Sequence, residues 1–484
     1  METIKKHRAI IIIGLVFTIL YALISLVNHY NFRTYALDLG LYTSALYDYI
    51  HFQWNDCGVF KVVEENILAD HFDLYLILFS PLSLVLGTYT LLIVQIIAII
   101  FGGVGVYMLF KSQVNKSRLA IPAAAYFYLF FGVYSALAFD YHSNVIAATL
   151  IPWLFYAVSK KQLRFASSLI VLVIIGKENM SLWLAFILLG LAIEHRSNKF
   201  LRTYLILASL VSLASFLAIT TLIMPAISIH GSYNHFHYSI LGENMQEALI
   251  HLLTHPLESI KVLFTNHSPE IHGDYVKLET HLLLLVSGVV ILFRKPQFLL
   301  MLIPIYFQKF YHDTYIIWGI GSQYNIEFTP ILAIGVFYVI SEIKSTKLQT
   351  LVSCLILVLV VVSTNWILRE DTILYTNKPR IRFDQKRHYQ RHFNVKGVHE
   401  SLSKIPKDAN VSAQSSFVPH LSLRNHIYQF PIIKNAEYIV YLRGEETYPI
   451  SKDEFEAIVN DLEKSKDWEV FLNDDVTILK RVSL

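Results

Sequence analysis

A succession of apolar runs, many long enough to cross a bilayer and separated by loops whose basic residues fall on alternate sides, constrains this chain more than any other feature. Residues 9–27 follow Lys5, Lys6 and Arg8, which place the N-terminus in the cytoplasm. No small-residue cleavage site follows, so the run reads as an uncleaved first helix. Residues 72–87 are short and broken by Pro81 and Gly87, and read as an interfacial or re-entrant segment. Spans are expected over 89–110, 119–138, 143–158, 203–227, 281–293, 297–311, 325–342 and 348–367, with 165–193 as two half-length helices meeting at Gly176-Lys177-Glu178-Asn179. Lys111, Lys116 and Arg118, then Lys160, Lys161 and Arg164, then Arg196, Lys199 and Arg202 close the cytoplasmic ends. The expected fold class is therefore an α-helical polytopic membrane protein of about 11 transmembrane helices, its tail extracytoplasmic. The basic cluster after the last run, Arg369 to Arg391, opposes that topology; a count of ten or twelve would remove the conflict.

Composition agrees with a polytopic membrane protein: 54% hydrophobic and 16% charged residues, with a mean hydropathy of +0.47; the expected location is the inner (plasma) membrane. A net charge of +3 is too small to suggest nucleic-acid binding, which normally shows as a clustered basic face. Cys57 lies in the first loop and Cys354 inside an apolar run, so no disulfide framework is expected. Three regions follow: residues 1–367 as a membrane domain including an external loop 28–88, a basic linker 368–392, and a small soluble α/β domain 393–484. In the last, Asn410 to Ser415 and Tyr438 to Leu442 read as strands, Lys452 to Lys466 as a helix and Trp468 to Arg481 as two closing strands.

The loop from Tyr30 to Asp73 is rich in aromatics, carboxylates and a histidine, far more than a connector needs. On the alternating topology Asp38, Asp48, Asp70, His71, Asp73, Asp140, His142, Lys177, Glu178, Gln323, Asn325 and Glu327 share one membrane face, which suggests a common cavity. Asp38 reads either as a base whose carboxyl is raised by partial desolvation or as the N-cap of a helix starting at Leu39. Asp70, His71 and Asp73 could hold a divalent cation, Mg or Mn, or bind phosphate through His71; plain helix starts look the same. Lys177 and Glu178 are costly inside an apolar run unless they line a polar cavity or form a solvated turn. The histidines between Ser228 and Thr280 read as surface residues, although His235 and His237 are regularly spaced. The cluster Lys378 to Arg391 suits phosphate or anionic lipid. No phosphate-cradling glycine loop, G-x-S-x-G or H-E-x-x-H motif is present.

The pattern Asp38-Leu-Gly40-Leu-Tyr42, Asp70-His71-Phe72, Phe139-Asp140-Tyr141-His142 and Gly176-Lys177-Glu178, with the tail signature Val411 to Arg424 and Ile427 to Pro431, resembles a prokaryotic family of polytopic membrane proteins classed as a domain of unknown function. That family looks distantly like the GT-C membrane glycosyltransferases. The resemblance implies transfer of a sugar from a polyprenyl-phosphate donor on the extracytoplasmic face, within the cell envelope. It implies Asp38 as catalytic acid with Glu178 or Asp140 as partner. Substrate binding would fall to His71, Asp70, Tyr42, His142, Lys177, Gln323 and Asn325, with Tyr35, Tyr42 and Trp54 stacking on sugar. The chain lacks the paired Asp-x-Asp of some metal-dependent GT-C enzymes, and its acceptor is not implied. A transporter or flippase of an amphipathic substrate, or a non-catalytic membrane scaffold, would use the same apolar framework.

Overall fold

In the computed structural model residues 2–374 and 377–482 are described, the side chains of residues 2–6 excepted; the Lys5 and Lys6 side chains therefore lie outside the described part. Four helical runs are long and apolar enough to cross a membrane: His7–Tyr30, Tyr75–Lys111, Lys199–Ile227 and Thr346–Ile367. A fifth appears if Val114–Leu129 and Phe131–Leu137, bent by 43° at Phe130, count as one span.

That number overturns the expectation of about 11 crossings. Most of the other apolar runs are helical but short. Ser143–Ser159 carries Pro152 inside it, Glu178–Glu194 begins on a carboxylate, and Phe328–Ile340 has only 13 residues, every one of them buried. Helices of this length and burial are the core of the protein, packed against other helices. Hydropathy is the same for a helix facing lipid and one facing other helices, which is why the sequence overcounts. The GT-C, glycosyltransferase and polyprenyl-phosphate assignments conflict with so small a number of helices long enough to cross a membrane. Residues 72–87 differ too: they form short helical turns that run into Thr90–Lys111 as one 37-residue apolar stretch.

The helices pack closely where glycine allows it. A Cβ on Gly103 would come within 2.2 Å of the Tyr128 ring, and one on Gly102 within 2.8 Å of Phe127. Small residues thus let Tyr75–Lys111 approach its neighbour, the usual way membrane helices gain van der Waals contact.

At the C-terminal end a five-stranded sheet has the order Ile427–Gln429, Val411–Ala413, Tyr438–Tyr441, Thr477–Arg481, Trp468–Asn473. The first three pair in parallel and the last two join antiparallel. Helix Lys452–Lys464, with a capping box from Ser451 and Glu454, covers one face through Phe455 and Val459. The other face is not free: Val411, Ala413, Phe417 and Val418 belong to the same buried cluster as the helical core. The Ala36 N–H donates to Ser415 Oγ at 3.3 Å, and Lys434 pairs with Glu64 at 3.2 Å. The sheet is thereby fastened against the first loop.

Candidate functional site

A cavity of about 590 Å³ opens between the first loop, the 139–144 segment, the start of Glu178–Glu194, the 233–252 segment and residues 305–327. Asp38, His71, His142, Lys177, Glu178 and Gln323 line it. Each reaches it for a local reason. Asp38 sits within a π-helical turn, Ala36–Gly40, whose extra residue per turn bulges the backbone towards the cavity. It therefore lies inside the turn and does not cap it; Oδ1 is 3.3 Å from His142 Nε2. His142 is fixed from behind by its N–H to Gln95 Oε1 at 3.0 Å, while the Gln95 amide donates to the Asp140 carbonyl at 2.8 Å. Asp140, at φ +39°, holds the corner.

Asp70 and His71 end the short turn Ile67–Asp70, which Asn66 caps through its side chain. His71 Nδ1 is 3.3 Å from Glu178 Oε1, and the Phe72 N–H donates to Glu178 Oε2 at 3.1 Å. Glu178 is the first residue of its helix, where the helix dipole favours a carboxylate. His235 comes from the long 228–280 segment: its Nε2 is 3.3 Å from Asp70 Oδ1, and its ring stacks on His71 at 4.4 Å.

Charges in this cluster are complementary. Burial works to raise the Asp70 and Glu178 carboxyls, but His71 and neighbouring groups, His235 on Asp70 and Lys177 on Glu178 among them, hold both below the usual range. Burial works to lower His235, and its bond to Asp70 leaves it raised. Burial pulls His71 down, assisted by Lys177. Asp38 corrects the expectation of a raised carboxyl: burial does push it up, yet His142, then Arg380 and His71, hold it below its ordinary value.

Asp70, His71 and His235 offer one ligand atom each within 4.8 Å of one another, a set that could hold a divalent metal ion. Two imidazoles and one carboxylate suit Mn, Fe or Zn better than Mg, which prefers oxygen donors. The Glu178 bond to Nδ1 orients His71, as carboxylates behind metal-binding histidines do. The residues therefore fit a metal, but not through Asp73. That carboxyl is turned away, accepting from the Tyr75 N–H at 3.0 Å and the Tyr141 hydroxyl at 3.2 Å, and burial raises it to about 7.

Other expected site residues stand apart from the cavity wall. Asp140 pairs with Arg380 at 2.6 Å and accepts from the Tyr35 N–H, both buried. Tyr42 packs edge-on to Tyr141 at 5.6 Å, behind His142. Asn325 is fully buried and donates to the Gly319 carbonyl at 3.1 Å. Trp54 is exposed, away from the lining. The cluster Lys378 to Arg391 is also spent on the protein itself: Lys378 on the Ile367 carbonyl, Arg382 on Asp384 and Glu370, Arg387 on Glu370, and Arg391 on Glu445. None of it lines the cavity. Sequence reasoning had left out His235, Tyr233, Lys309 and Asn144, all lining residues. The one available signal was the His235 and His237 spacing among aromatics.

Fold and cavity together define a membrane protein whose helical core carries a chiefly apolar chamber with charged and imidazole groups on its wall, beside a set of residues that could hold a divalent ion. Residues 28–479 match the model of the family described as Predicted membrane protein (DUF2079), and the chain belongs to that family. No curated protein matched the sequence.

Proposed function

We propose that the cavity is the active site of a membrane-bound enzyme that transfers a group from or to an anionic, amphipathic substrate, with a divalent ion bound by Asp70, His71 and His235. The observation that supports this reading is the convergence on one chamber of His71 and His235, with Asp70 against both of them, and the Asp38–His142 pair. A bound divalent ion supplies a Lewis acid for a phosphoryl or carbonyl oxygen. Lys177 adds a cation on the same wall, and Phe216, Leu241 and Leu252 offer an apolar side for a tail.

Asp38 is the more open member of its pair, its side chain 21% exposed against 4% for His142. It meets the substrate as an ionised carboxylate, and His142 keeps it so and fixes its direction. An ionised carboxylate accepts a hydrogen bond from an attacking hydroxyl and aligns it. Placement on the extracytoplasmic face is part of the proposal. Its support is the set Lys111, Lys116, Arg118, Lys160 and Lys161, which marks the far ends of helices leading away from the cavity loops.

The test uses the full chain in lipid nanodiscs. Titration with Mn or Zn is expected to show one site, lost in His235→Ala and weakened about 10–100-fold in Glu178→Gln. Asp38→Asn should keep the ion and lower turnover of amphipathic phosphate esters by roughly 100-fold or more. Unchanged ion binding in His235→Ala, or unchanged turnover in Asp38→Asn, overturns the assignment.

A further inference from the structure

We propose that the helix pair Met245–Thr254 and Pro256–Val262 lies flat in the boundary between lipid headgroups and acyl chains and roofs the cavity from the bilayer side. The inference goes beyond the enzymatic reading and does not depend on a metal. It rests on an apolar stripe that faces away from the protein. Leu249 is 59% exposed, Leu253 74%, Leu257 81%, Ile260 55% and Phe264 59%. Their spacing of three and four residues carries one stripe across the His255–Pro256 junction. The adjoining flank of the first helix is apolar as well, but engaged: Ala248 and Leu252 line the cavity, Met245 stands between the two flanks, and Ala248 packs with Leu241 and Tyr311. A broad apolar sector of which one flank meets the chamber and the other is open needs a second apolar neighbour.

The bilayer boundary is the occupant because the stripe follows a helix long and apolar enough to cross a membrane and continues its outward apolar face. Lys199–Ile227 ends with Leu217, Leu222 and Ile223 exposed, and beyond the stripe the short helix Val276–Val286 again exposes Leu278, Leu282 and Leu285. The edges carry Gln246, Glu247, Glu258 and Lys261, the mixed polar border of a helix lying in the interfacial plane. Two helices of 10 and 7 residues are too short to span. Lying flat satisfies both length and pattern. The same segment delivers His235 to Asp70 and His71, so the roof and the ligand cluster are built from one stretch of chain.

The experiment places a fluorophore on Leu253→Cys, Leu257→Cys and Phe264→Cys in a Cys354→Ser background, with Glu469→Cys on the C-terminal sheet as a reference, all in nanodiscs of phosphatidylcholine and phosphatidylglycerol. A lipid quencher near the headgroup is expected to dim the three stripe labels by about two-fold or more, a quencher near the bilayer centre less, and aqueous iodide little. The Glu469 label should respond to iodide alone. Iodide quenching of the stripe equal to that reference would overturn the proposal in favour of a water-exposed loop. Protection from every quencher together with cross-linking between copies at Leu253 would overturn it in favour of a second chain on this face. Because labels are read only in folded, monodisperse protein and at three positions, loss of one variant leaves the comparison standing. Ion binding by the wild type is scored separately and bears only on the enzymatic reading.

Discussion

At the level of single residues the first loop holds a titrating group outside the ligand cluster. Asp48, on helix Leu41–Ile50, is raised by burial and by Asp56 from an ordinary 3.8 to about 7. Its folded pKa lies above its unfolded one, so its contribution is fully present below about pH 4 and is lost as pH rises towards 7, where the unfolded chain is ionised and the folded chain resists ionisation. Thermal unfolding in detergent should therefore show Asp48→Asn more stable than wild type at pH 8, with the difference shrinking as pH falls to 4. Equal melting shifts at both pH values would show that Asp48 titrates normally. Individual residues were also where the sequence read best and worst. Asp38, His71, Lys177 and Glu178 stood out because polar groups in an apolar setting are costly without a purpose, and all four line the cavity. His235 was passed over because nothing local distinguishes a ligand from a surface histidine; its partners are 164 and 165 positions away in the chain.

Among the elements, the segment after the last long helix gave the sequence most trouble. Its basic residues looked like a membrane or phosphate contact; in the structure Arg380 ties the segment to the 139–144 loop, while Arg382 and Arg387 pair with acids of the segment itself. The Arg380 guanidinium lies 2.6 Å from the Asp140 carboxylate, and the Arg380 carbonyl accepts from Asn28 Nδ2 at 2.7 Å. Both side chains of the ion pair are nearly buried. Removing one partner of a buried pair leaves an uncompensated charge, at a cost of about 3–5 kcal/mol. Arg380→Leu should thus lower the melting temperature sharply, and adding Asp140→Asn should recover a large part of the loss. A double variant no more stable than the single one would show that the pair is not the source. A positive-inside argument could not see this, because it counts charges near a helix end without knowing whether a carboxylate waits for them.

For the whole molecule, the C-terminal sheet and the helices share one buried cluster. Much of the C-terminal part was legible, a helix at Lys452–Lys464 and strands at Val411–Ala413, Tyr438–Tyr441, Trp468–Asn473 and Thr477–Arg481, while the edge strand Ile427–Gln429 and the helix Val395–Leu402 were missed. Alternation and capping are local signals, so they survive in one dimension. What the change in composition near Phe393 did not reveal is that Val418 would pack on Gly40, where a Cβ would meet it at 2.8 Å. A chain ending at residue 392 should therefore expose that face and lose monodispersity by size-exclusion chromatography in detergent. A truncated chain that stays monodisperse and melts like the full one would show that the two parts fold apart.

The sequence by itself determined that this is a membrane protein and where one helix and four of the strands in the last ninety or so residues lie. It did so through hydropathy, charge and period, all properties of short windows. Only the tertiary structure decided which apolar helices keep an exposed face and which are buried against one another, and that Asp70, His71 and His235 meet. Burial against protein and burial against acyl chains demand the same side chains, and a ligand set is a distance between residues that the order of the chain does not contain.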